Sequence, residues 1–235
     1  MNKDLSIIIP CYNEEKNISI ILKKINLLQK KHNFFEIIMV DNGSTDNTKK
    51  IIKNSPLIKS NNIKLVEVSK NIGYGNGIIQ GLNSSKTNIL AWTHADLQTD
   101  LEDVIKAYKV CKNKINNKNI LIKGKRINRN FFDNFFTFCM SVLSSIIIGR
   151  KIFDINAQPK IFHKKLFEKM KNPPNDFMID LYLMILAKKN NYDIFEFPVY
   201  FNKRQYGKAK GGGTIKGKIK LSLITIQYIF SSKWK

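Results

Sequence analysis

A short polar segment in the first half of the chain combines the residue types that bind a metal ion and phosphate. It reads Thr93-His-Ala-Asp-Leu-Gln98 and directly follows an apolar run. Hard cations such as Mg²⁺ and Mn²⁺ prefer oxygen ligands, which the Asp96 carboxylate and the Gln98 amide supply. The His94 imidazole can bind Mn²⁺ or donate a hydrogen bond to phosphate, although a structural role for His94 is also open. Asp96, Gln98 and His94 are therefore candidates for binding a metal ion.

Two basic segments in the second half offer partners for phosphate groups. One contains Arg126 and Arg129, and the other runs from Lys203 to Lys210 around Arg204. An Arg guanidinium can hold phosphate oxygens with two parallel hydrogen bonds. A solvated basic loop without a ligand is the alternative for the second segment. We expect phosphate contacts from these side chains: Arg126, Arg129, Arg204, Lys208 and Lys210.

The pattern of apolar residues around these segments predicts an α/β fold. Short β-branched runs alternate with longer amphipathic stretches, as in a mostly parallel central sheet flanked by helices. Predicted strands cover residues 5–9, 36–40, 63–68, 88–92, 120–124 and 194–201. Predicted helices cover residues 14–31, 45–53, 75–83, 131–148 and 177–189, with a further helix at the C-terminus.

Polar residues follow each of the first four predicted strands. Since ligands bind outside the carboxyl ends of the strands in an open parallel sheet, these four ends are expected to form one site. Asp41 can accept hydrogen bonds from a base or a ribose, and Tyr12 offers a flat ring beside the acceptor groups of Glu14. Taken alone, Asp41-Asn-Gly-Ser44 is also ordinary turn chemistry, so the prediction depends on the strand ends meeting.

The order and spacing of these segments resemble the family-2 inverting glycosyltransferases, in particular the polyprenyl-phosphate sugar transferases typified by dolichol-phosphate mannose synthase. The resemblance covers about residues 5 to 213 and implies a GT-A, Rossmann-like fold. Its motifs are Pro10-Cys-Tyr-Asn-Glu14, Val40-Asp-Asn-Gly-Ser-Thr-Asp-Asn-Thr48, Asn71-Ile-Gly-Tyr-Gly-Asn-Gly77, the segment around Asp96, Lys123-Gly-Lys-Arg126, Asp154-Ile-Asn-Ala-Gln-Pro-Lys160, and Glu196-Phe-Pro-Val199 with the basic loop after it.

The resemblance assigns roles to individual residues. A nucleotide-sugar donor is the expected ligand of the strand ends, with Mg²⁺ or Mn²⁺ held against its diphosphate by Asp96, Gln98 and His94. His94 stands where the family commonly has the first Asp of an Asp-Ala-Asp motif. The residues expected to be catalytic are Asp96, Asp154, Arg126 and Arg204. The expected donor contacts are Pro10, Tyr12, Asn13, Glu14, Asp41, Gly43, Ser44, Asn71, Gly73 and Asp96.

The class of acceptor determines which catalytic groups are needed. Polyprenyl phosphate, which the resemblance favours, is already anionic near neutral pH and needs mainly positioning, a role that suits Arg126 and Arg204. A sugar hydroxyl, as in the synthesis of cell-surface polysaccharide or lipopolysaccharide, needs a general base, and Asp154 or Asp180 is then the candidate. We expect transfer of a hexose-type sugar to polyprenyl phosphate.

Length and composition favour one domain with an added helix. The 235 residues suffice to bury a full core. We expect a glycosyltransferase domain over residues 1–213, with a donor half at 1–118 and an acceptor half at 119–213, and a basic amphipathic helix over 214–235. The three cysteines lack a CxxC spacing, which favours a reducing compartment.

The strongly basic composition bears on the class of partner. A formal net charge of +22 favours an anionic partner such as a nucleotide diphosphate or a bilayer surface. An AT-rich coding sequence could also produce much of this charge through Lys codons. No nucleic-acid-binding motif accompanies the charge, so a nucleic-acid partner is not expected. A degenerate, non-catalytic scaffold is the other non-enzymatic alternative.

Two segments could lie at a membrane interface. No stretch offers the roughly 20 uninterrupted apolar residues of a transmembrane helix. The segment Phe131–Ile148 is rich in Phe and flanked by basic residues, and the C-terminal helix places Ile219, Leu223, Ile226 and Phe230 on one face. Packing of both helices on the sheet or on a partner subunit is the alternative. We expect a cytoplasmic protein bound peripherally to the inner face of the membrane, and the sequence predicts no oligomeric state.

Overall fold

A seven-stranded sheet organises the chain and brings its polar loops to one edge. The computed structural model describes residues 3–60, 63–117, 119–129, 131–149, 151, 153–207 and 214–231. The strands are β1 (Leu5–Cys11), β2 (Phe35–Asn42), β3 (Ile63–Val68), β4 (Ile89–Trp92), β5 (Ile120–Ile127), β6 (Lys160–His163) and β7 (Asp193–Tyr200). The helices are α1 (Glu15–Lys31), α2 (Thr48–Lys53), α3 (Pro56–Lys59), α4 (Tyr74–Asn83), α5 (Leu101–Asn117), α6 (Phe131–Ile148), α7 (Lys164–Phe167), α8 (Ile179–Lys189) and α9 (Ile215–Phe230).

The strands are arranged in the order β3-β2-β1-β4-β6-β5-β7. The pairings of β1 with β2 and β4, of β2 with β3 and of β5 with β7 are parallel, whereas β6 is antiparallel to both of its neighbours. Parallel neighbours end at the same edge, so the carboxyl ends of β1, β2, β3 and β4 lie side by side. The predicted α/β fold with a mostly parallel central sheet is confirmed.

Two apolar layers sandwich the sheet because successive side chains of a strand point to opposite faces. Along β1, Ile7 and Ile9 belong to one layer together with residues of α1 and α5, while Ile8 belongs to the other layer together with residues of α4 and α8. Every residue of β1 is buried. The continuous apolar run that predicted this strand is therefore the signature of a strand covered on both faces.

Strand β6 and helix α5 were absent from the sequence-based prediction. Strand β6 has only four residues, and it begins with Lys160 and ends with His163, so it shows no apolar alternation. The predicted division into donor and acceptor halves near residue 118 stays a prediction, since one sheet contains strands from both sides of it.

Helices α6 and α9 contact each other and turn apolar side chains outward. Phe131 and Phe138 of α6 and Leu223 of α9 are exposed, whereas Ser141 and Ser144 lie on the buried side of α6. These exposed side chains are thus not packed on the sheet, whereas the last turn of α9 belongs to one of its two apolar layers. Across the residues that the structure describes, none of the helices combines the length and hydrophobicity needed to cross a membrane.

Candidate active site

The loops after β1 and β2 are tied together by side-chain hydrogen bonds. Asn13 adopts a left-handed backbone conformation with φ of 54°. Its backbone N–H donates to Ser44 Oγ at 3.1 Å, and its side-chain oxygen accepts a hydrogen bond from the Thr45 N–H at 2.8 Å. The Glu14 N–H donates to Thr48 Oγ1 at 2.8 Å. Asn13, predicted as a donor contact, therefore also has a structural role in joining the first two motifs.

Asp41 lies at the carboxyl end of β2, where it pairs with Cys11 at the end of β1. Its side chain is buried, and its Oδ1 accepts a hydrogen bond from the Ser44 N–H at 3.3 Å. Pro10 is buried in β1, and Tyr12 follows β1 as a half-buried residue. The ends of the first two strands thus bring together the residues that the sequence placed in one donor site.

The third motif, Asn71–Gly77, lies against the second motif, Val40–Thr48. Gly43 has φ of 73°, and a Cβ on it would lie 2.6 Å from the Asn71 backbone nitrogen, so only glycine fits there. Asn71 Oδ1 accepts a hydrogen bond from the Gly73 N–H at 2.9 Å, and the Gly73 carbonyl accepts one from Asn42 Nδ2 at 2.9 Å. The beginning of α4 is thereby held against the loop after β2.

Asp96 follows β4 and forms an ion pair with Arg204, which comes from the segment after β7. Arg204 Nη2 donates to Asp96 Oδ2 at 2.7 Å and to Gln98 Oε1 at 3.3 Å. Its Nη1 lies 3.9 Å from Glu14 Oε1. Residues of the first motif, the fourth motif and the basic loop therefore meet around one guanidinium, which links the β1 and β4 ends of the sheet.

His94 is engaged with aromatic neighbours. Its ring stacks on Tyr74 of α4 at a centroid distance of 5.3 Å, and Tyr74 also stacks on Phe177 at 5.2 Å. Burial raises the pKa of Tyr74 well above its usual value, and the charges of Asp180 and Asp96 act in the same direction. The contacts of His94 favour a structural role, and its role as a metal ligand stays a prediction.

Arg126 and Asp154 form a second ion pair, at the carboxyl end of β5. Arg126 Nε donates to Asp154 Oδ1 at 2.9 Å, and the Arg126 backbone N–H donates to Asp154 Oδ2 at 3.1 Å. Burial disfavours the Asp154 carboxylate, but Arg126 and Lys123 together outweigh burial, so the pKa of Asp154 is lowered. A carboxylate held in this way is a weak proton acceptor.

The ring of Phe201 lies beside both arginines of the first basic segment. The guanidinium carbons of Arg126 and Arg129 lie 5.2 Å and 5.5 Å from the Phe201 ring centroid, respectively. Arg129 Nη1 also donates to Thr137 Oγ1 of α6 at 2.8 Å. The two arginines are thus placed together, as expected for phosphate contacts. Lys208 and Lys210, predicted for the same role, lie outside the described residues.

A buried lysine that the sequence analysis did not single out lies close to Asp180. Lys160 is fully buried in β6 and donates to the Ile155 and Ala157 carbonyls, both at 2.7 Å. Its Nζ lies 3.6 Å from Asp180 Oδ1. Burial lowers the pKa of Lys160 to about 8, and Asp180 partly opposes that shift. No clear signal in the sequence indicated this burial, because β6 was too short to be recognised as a strand.

Asp180, the other candidate base, belongs to the same buried cluster. Besides the ion pair with Lys160, its Oδ1 accepts hydrogen bonds from Gln158 Nε2 at 2.8 Å and from Trp92 Nε1 at 3.3 Å. Asp180 is 1% exposed. Two hydrogen bonds, an ion pair and near-complete burial indicate that this carboxylate has a structural role in the core.

The oxygen set after β4 suits a divalent cation. Asp96 Oδ2 and Gln98 Oε1 accept hydrogen bonds from one nitrogen of Arg204, so both oxygens converge on a point that already holds positive charge. Within the described residues, no group of three or more His, Cys, Asp or Glu side chains is arranged to hold a metal. The protein thus offers two oxygen ligands at this position, which is usual where substrate phosphates complete a Mg²⁺ shell.

Comparison with protein families and curated proteins finds matches over most of the chain. The model of the family described as glycosyl transferase family 2 matches residues 6–140. An undecaprenyl-phosphate 4-deoxy-4-formamido-L-arabinose transferase of Proteus mirabilis is 24% identical, over 88% of this chain and 62% of its own length. A dodecaprenyl-phosphate galacturonate synthase of Rhizobium johnstonii is 23% identical, over 98% and 68%. A dolichyl-phosphate beta-glucosyltransferase of Trichomonas vaginalis is 28% identical, over 95% and 73%.

Solved structures share the fold at lower sequence identity. A glucosyl-3-phosphoglycerate synthase from Mycobacterium tuberculosis, crystallised with Mn²⁺, UDP and phosphoglyceric acid, has a TM-score of 0.74 and 16% identity over 97% of this chain and 78% of its own. The same enzyme with Mg²⁺ and UDP has a TM-score of 0.71 and 14% identity, over 97% and 79%. This likeness confirms the predicted GT-A fold.

Proposed function

The chain belongs to glycosyl transferase family 2, and from this premise we propose that it transfers a hexose-type sugar from a nucleotide-sugar to polyprenyl phosphate. The curated relatives named above are called polyprenyl- or dolichyl-phosphate sugar transferases, which supports this class of acceptor. The chain spans 62% of the Proteus relative, so the comparison concerns the shared part of that protein.

The surroundings of the two candidate bases make both of them poor proton acceptors, which favours a phosphate acceptor over a hydroxyl. Asp154 is held by Arg126, which lowers the pKa of its carboxyl group, and Asp180 is buried among three donors. A sugar hydroxyl would need a base to remove its proton, whereas a phosphate monoester loses its second proton with a pKa of about 6. An acceptor that is already an anion therefore fits this site better than a hydroxyl.

The donor is proposed to bind across the carboxyl ends of β1, β2 and β4. Asp41, at the carboxyl end of β2, is proposed to accept hydrogen bonds from the nucleoside. Asp96 and Gln98 are the proposed ligands of Mg²⁺ or Mn²⁺. When bound, the cation would neutralise the negative charge that develops on the departing diphosphate.

The acceptor phosphate is proposed to approach from the side of Arg126 and Arg129. Both guanidiniums lie against Phe201, and Asp154 orients the Arg126 guanidinium by accepting hydrogen bonds from its Nε and Nη2. Their positive charge orients the acceptor anion and offsets its repulsion from the donor diphosphate. Asp154 thus acts in this scheme by holding Arg126, and a role as proton acceptor is reserved for a hydroxyl substrate.

Access to a lipid acceptor is proposed to come from the outward face of α6 and α9. Phe131, Phe135 and Phe138 on α6 and Leu223 and Phe230 on α9 are exposed. Exposed aromatic side chains near Lys and Arg favour binding to an anionic membrane surface. This arrangement supports a peripheral location on a membrane surface, next to the acceptor's phosphate group, and we propose the cytoplasmic face.

The acceptor class is tested with the purified protein and Mn²⁺. Labelled UDP-, GDP- and dTDP-sugars are incubated with polyprenyl phosphate in vesicles or with soluble glycans. We expect labelled product in the lipid fraction, with a rate that follows ionisation of the acceptor phosphate near pH 6. Incorporation into glycan hydroxyls alone would reject polyprenyl phosphate as the acceptor.

A further inference from the structure

Arg204 occupies a built position between the two candidate metal ligands. One nitrogen, Nη2, lies 2.7 Å from Asp96 Oδ2 and 3.3 Å from Gln98 Oε1. The side chains of Arg204 and Asp96 are 19% and 11% exposed. Because little water reaches the pair, its attraction is screened less than that of a surface ion pair.

The backbone next to Arg204 is fixed to the same loop. The Asn202 N–H donates to the Gln98 carbonyl at 2.8 Å, and Gln98 Nε2 donates to the Asn202 carbonyl at 3.2 Å. These two bonds place Arg204 only two residues beyond a clamp on the segment after β4. The ion pair is therefore part of the fold of this edge of the sheet.

A guanidinium and a divalent cation cannot use these oxygens together. Mg²⁺ binds its ligands at about 2.0 to 2.1 Å in a near-octahedral shell. The Arg204 nitrogen stands at hydrogen-bond distance from the same two atoms, so it would lie inside that shell and repel the cation. Binding of one positive group at Asp96 and Gln98 requires the other to leave.

We propose that Arg204 is an internal counter-cation that competes with the divalent metal for Asp96 and Gln98. Metal loading at the donor site displaces the guanidinium and frees it for the acceptor phosphate. Loading of the metal and donor therefore precedes productive binding of the acceptor. This inference deepens the proposed function and rests on the metal-dependent donor site assigned there.

Mn²⁺ binding without nucleotide or lipid tests the competition directly. The free Mn²⁺ signal in electron paramagnetic resonance is titrated with wild-type protein, R204Q, R204K and K203Q. R204Q should bind Mn²⁺ on the order of tenfold more tightly than wild type, because the competing charge is gone. R204K should fall between them, since an ammonium lacks the planar fork of a guanidinium.

K203Q is the matched control, because Lys203 is exposed and carries the same charge one position earlier. Its Mn²⁺ affinity should equal that of wild type, and circular dichroism melting curves should verify that each variant is folded. Equal affinity of R204Q and K203Q would overturn the competition, and so would failure of folded R204Q to bind Mn²⁺.

Limited proteolysis provides a second measurement on the unmodified chain. Trypsin cleavage after Arg204 should be slow in metal-free protein and faster with saturating Mn²⁺, because displacement exposes the guanidinium. D96N should be cleaved rapidly with or without Mn²⁺. Cleavage after Arg204 that does not respond to Mn²⁺ in wild type would also contradict displacement.

The outcomes separate this inference from the proposed function. If wild type transfers sugar to polyprenyl phosphate and R204Q has the Mn²⁺ affinity of wild type, the competition is wrong and the proposed function stands. If R204Q binds Mn²⁺ more tightly but wild type transfers no sugar to polyprenyl phosphate, the competition is supported and the acceptor assignment is wrong.

Discussion

Two aspartates near β4 each form an ion pair with a basic side chain, but one pair lies at the sheet edge and the other in the core. Asp96 lies in the loop after the strand and pairs with Arg204, which comes from a polar segment at the sheet edge. Asp180 lies in α8 and pairs with the fully buried Lys160, while Trp92 and Gln158 donate to the same oxygen. The first pair is slightly exposed at the sheet edge, and its oxygens are the ones proposed to bind a competing cation. The second is enclosed in the core and stabilises the fold.

The difference shows how burial and the number of partners distinguish a functional acid from a structural one. A buried charge without its partner is costly, so the Lys160–Asp180 pair is retained whatever the ligand. A partly exposed pair costs less to exchange. Sequence alone ranked both aspartates as chemical candidates, and the surroundings separate them.

The largest expected effect is on catalysis by D96N. Loss of the Asp96 charge removes a proposed metal ligand and the partner of Arg204, so sugar transfer should fall about 1000-fold. The unfolding midpoint should stay within a few degrees of wild type. D100N is the matched control, because Asp100 forms an exposed ion pair with Lys24 and is not a proposed ligand, and its turnover should be unchanged. Normal transfer by D96N would remove this residue from the mechanism.

A loss of stability with a smaller effect on catalysis is expected from D180N. The substitution leaves the buried Lys160 without its ion pair, and either the unpaired charge or its loss by deprotonation should cost about 4 kcal/mol of unfolding free energy in urea titrations. D100N again serves as the control, since its exposed pair should contribute less than about 1 kcal/mol. If both variants lose the same stability, the contrast between buried and exposed pairs is wrong.

The buried lysine should also produce a pH dependence of stability. The pKa of Lys160 is about 8 in the folded protein, below its ordinary value of 10.5. Between these values the unfolded chain binds more protons, so wild type should gain stability relative to K160M as pH rises from about 8 to 10.5. The gain should not exceed about 3 kcal/mol. A difference between the two proteins that is flat over this range would contradict the lowered pKa.

The fold was readable from sequence where burial on both faces of the sheet produced long apolar runs, as in β1. Strand β6 could not be predicted, because its four residues have polar ends and show no alternation of apolar and polar side chains. Among site residues, Asp41, Gly43 and Asp96 could be placed at strand ends. The pairing of Arg204 with Asp96 could not, because it joins segments far apart in the chain through tertiary contacts. The buried position of Lys160 depends on β6 and was missed with it.

The smallest expected effect concerns the outward face of α6. Phe138 is 60% exposed on this helix, and F138S should weaken sedimentation with anionic vesicles roughly tenfold if the ring inserts. Val110 on α5 is 63% exposed on a different helix, so V110S is the control and should bind vesicles as wild type does. Equal binding by F138S and V110S would argue against α6 as the membrane-binding surface.

We propose that neighbouring strand ends form one nucleotide-sugar site. Calorimetry of donor binding is a direct test of this proposal. Wild type, D41N and D96N are titrated with UDP-, GDP- and dTDP-sugars in the presence of Mn²⁺. One nucleotide class should bind wild type, and each substitution should weaken its binding at least tenfold while the fold is retained. Absence of binding to wild type, or equal binding by all three proteins, would contradict it.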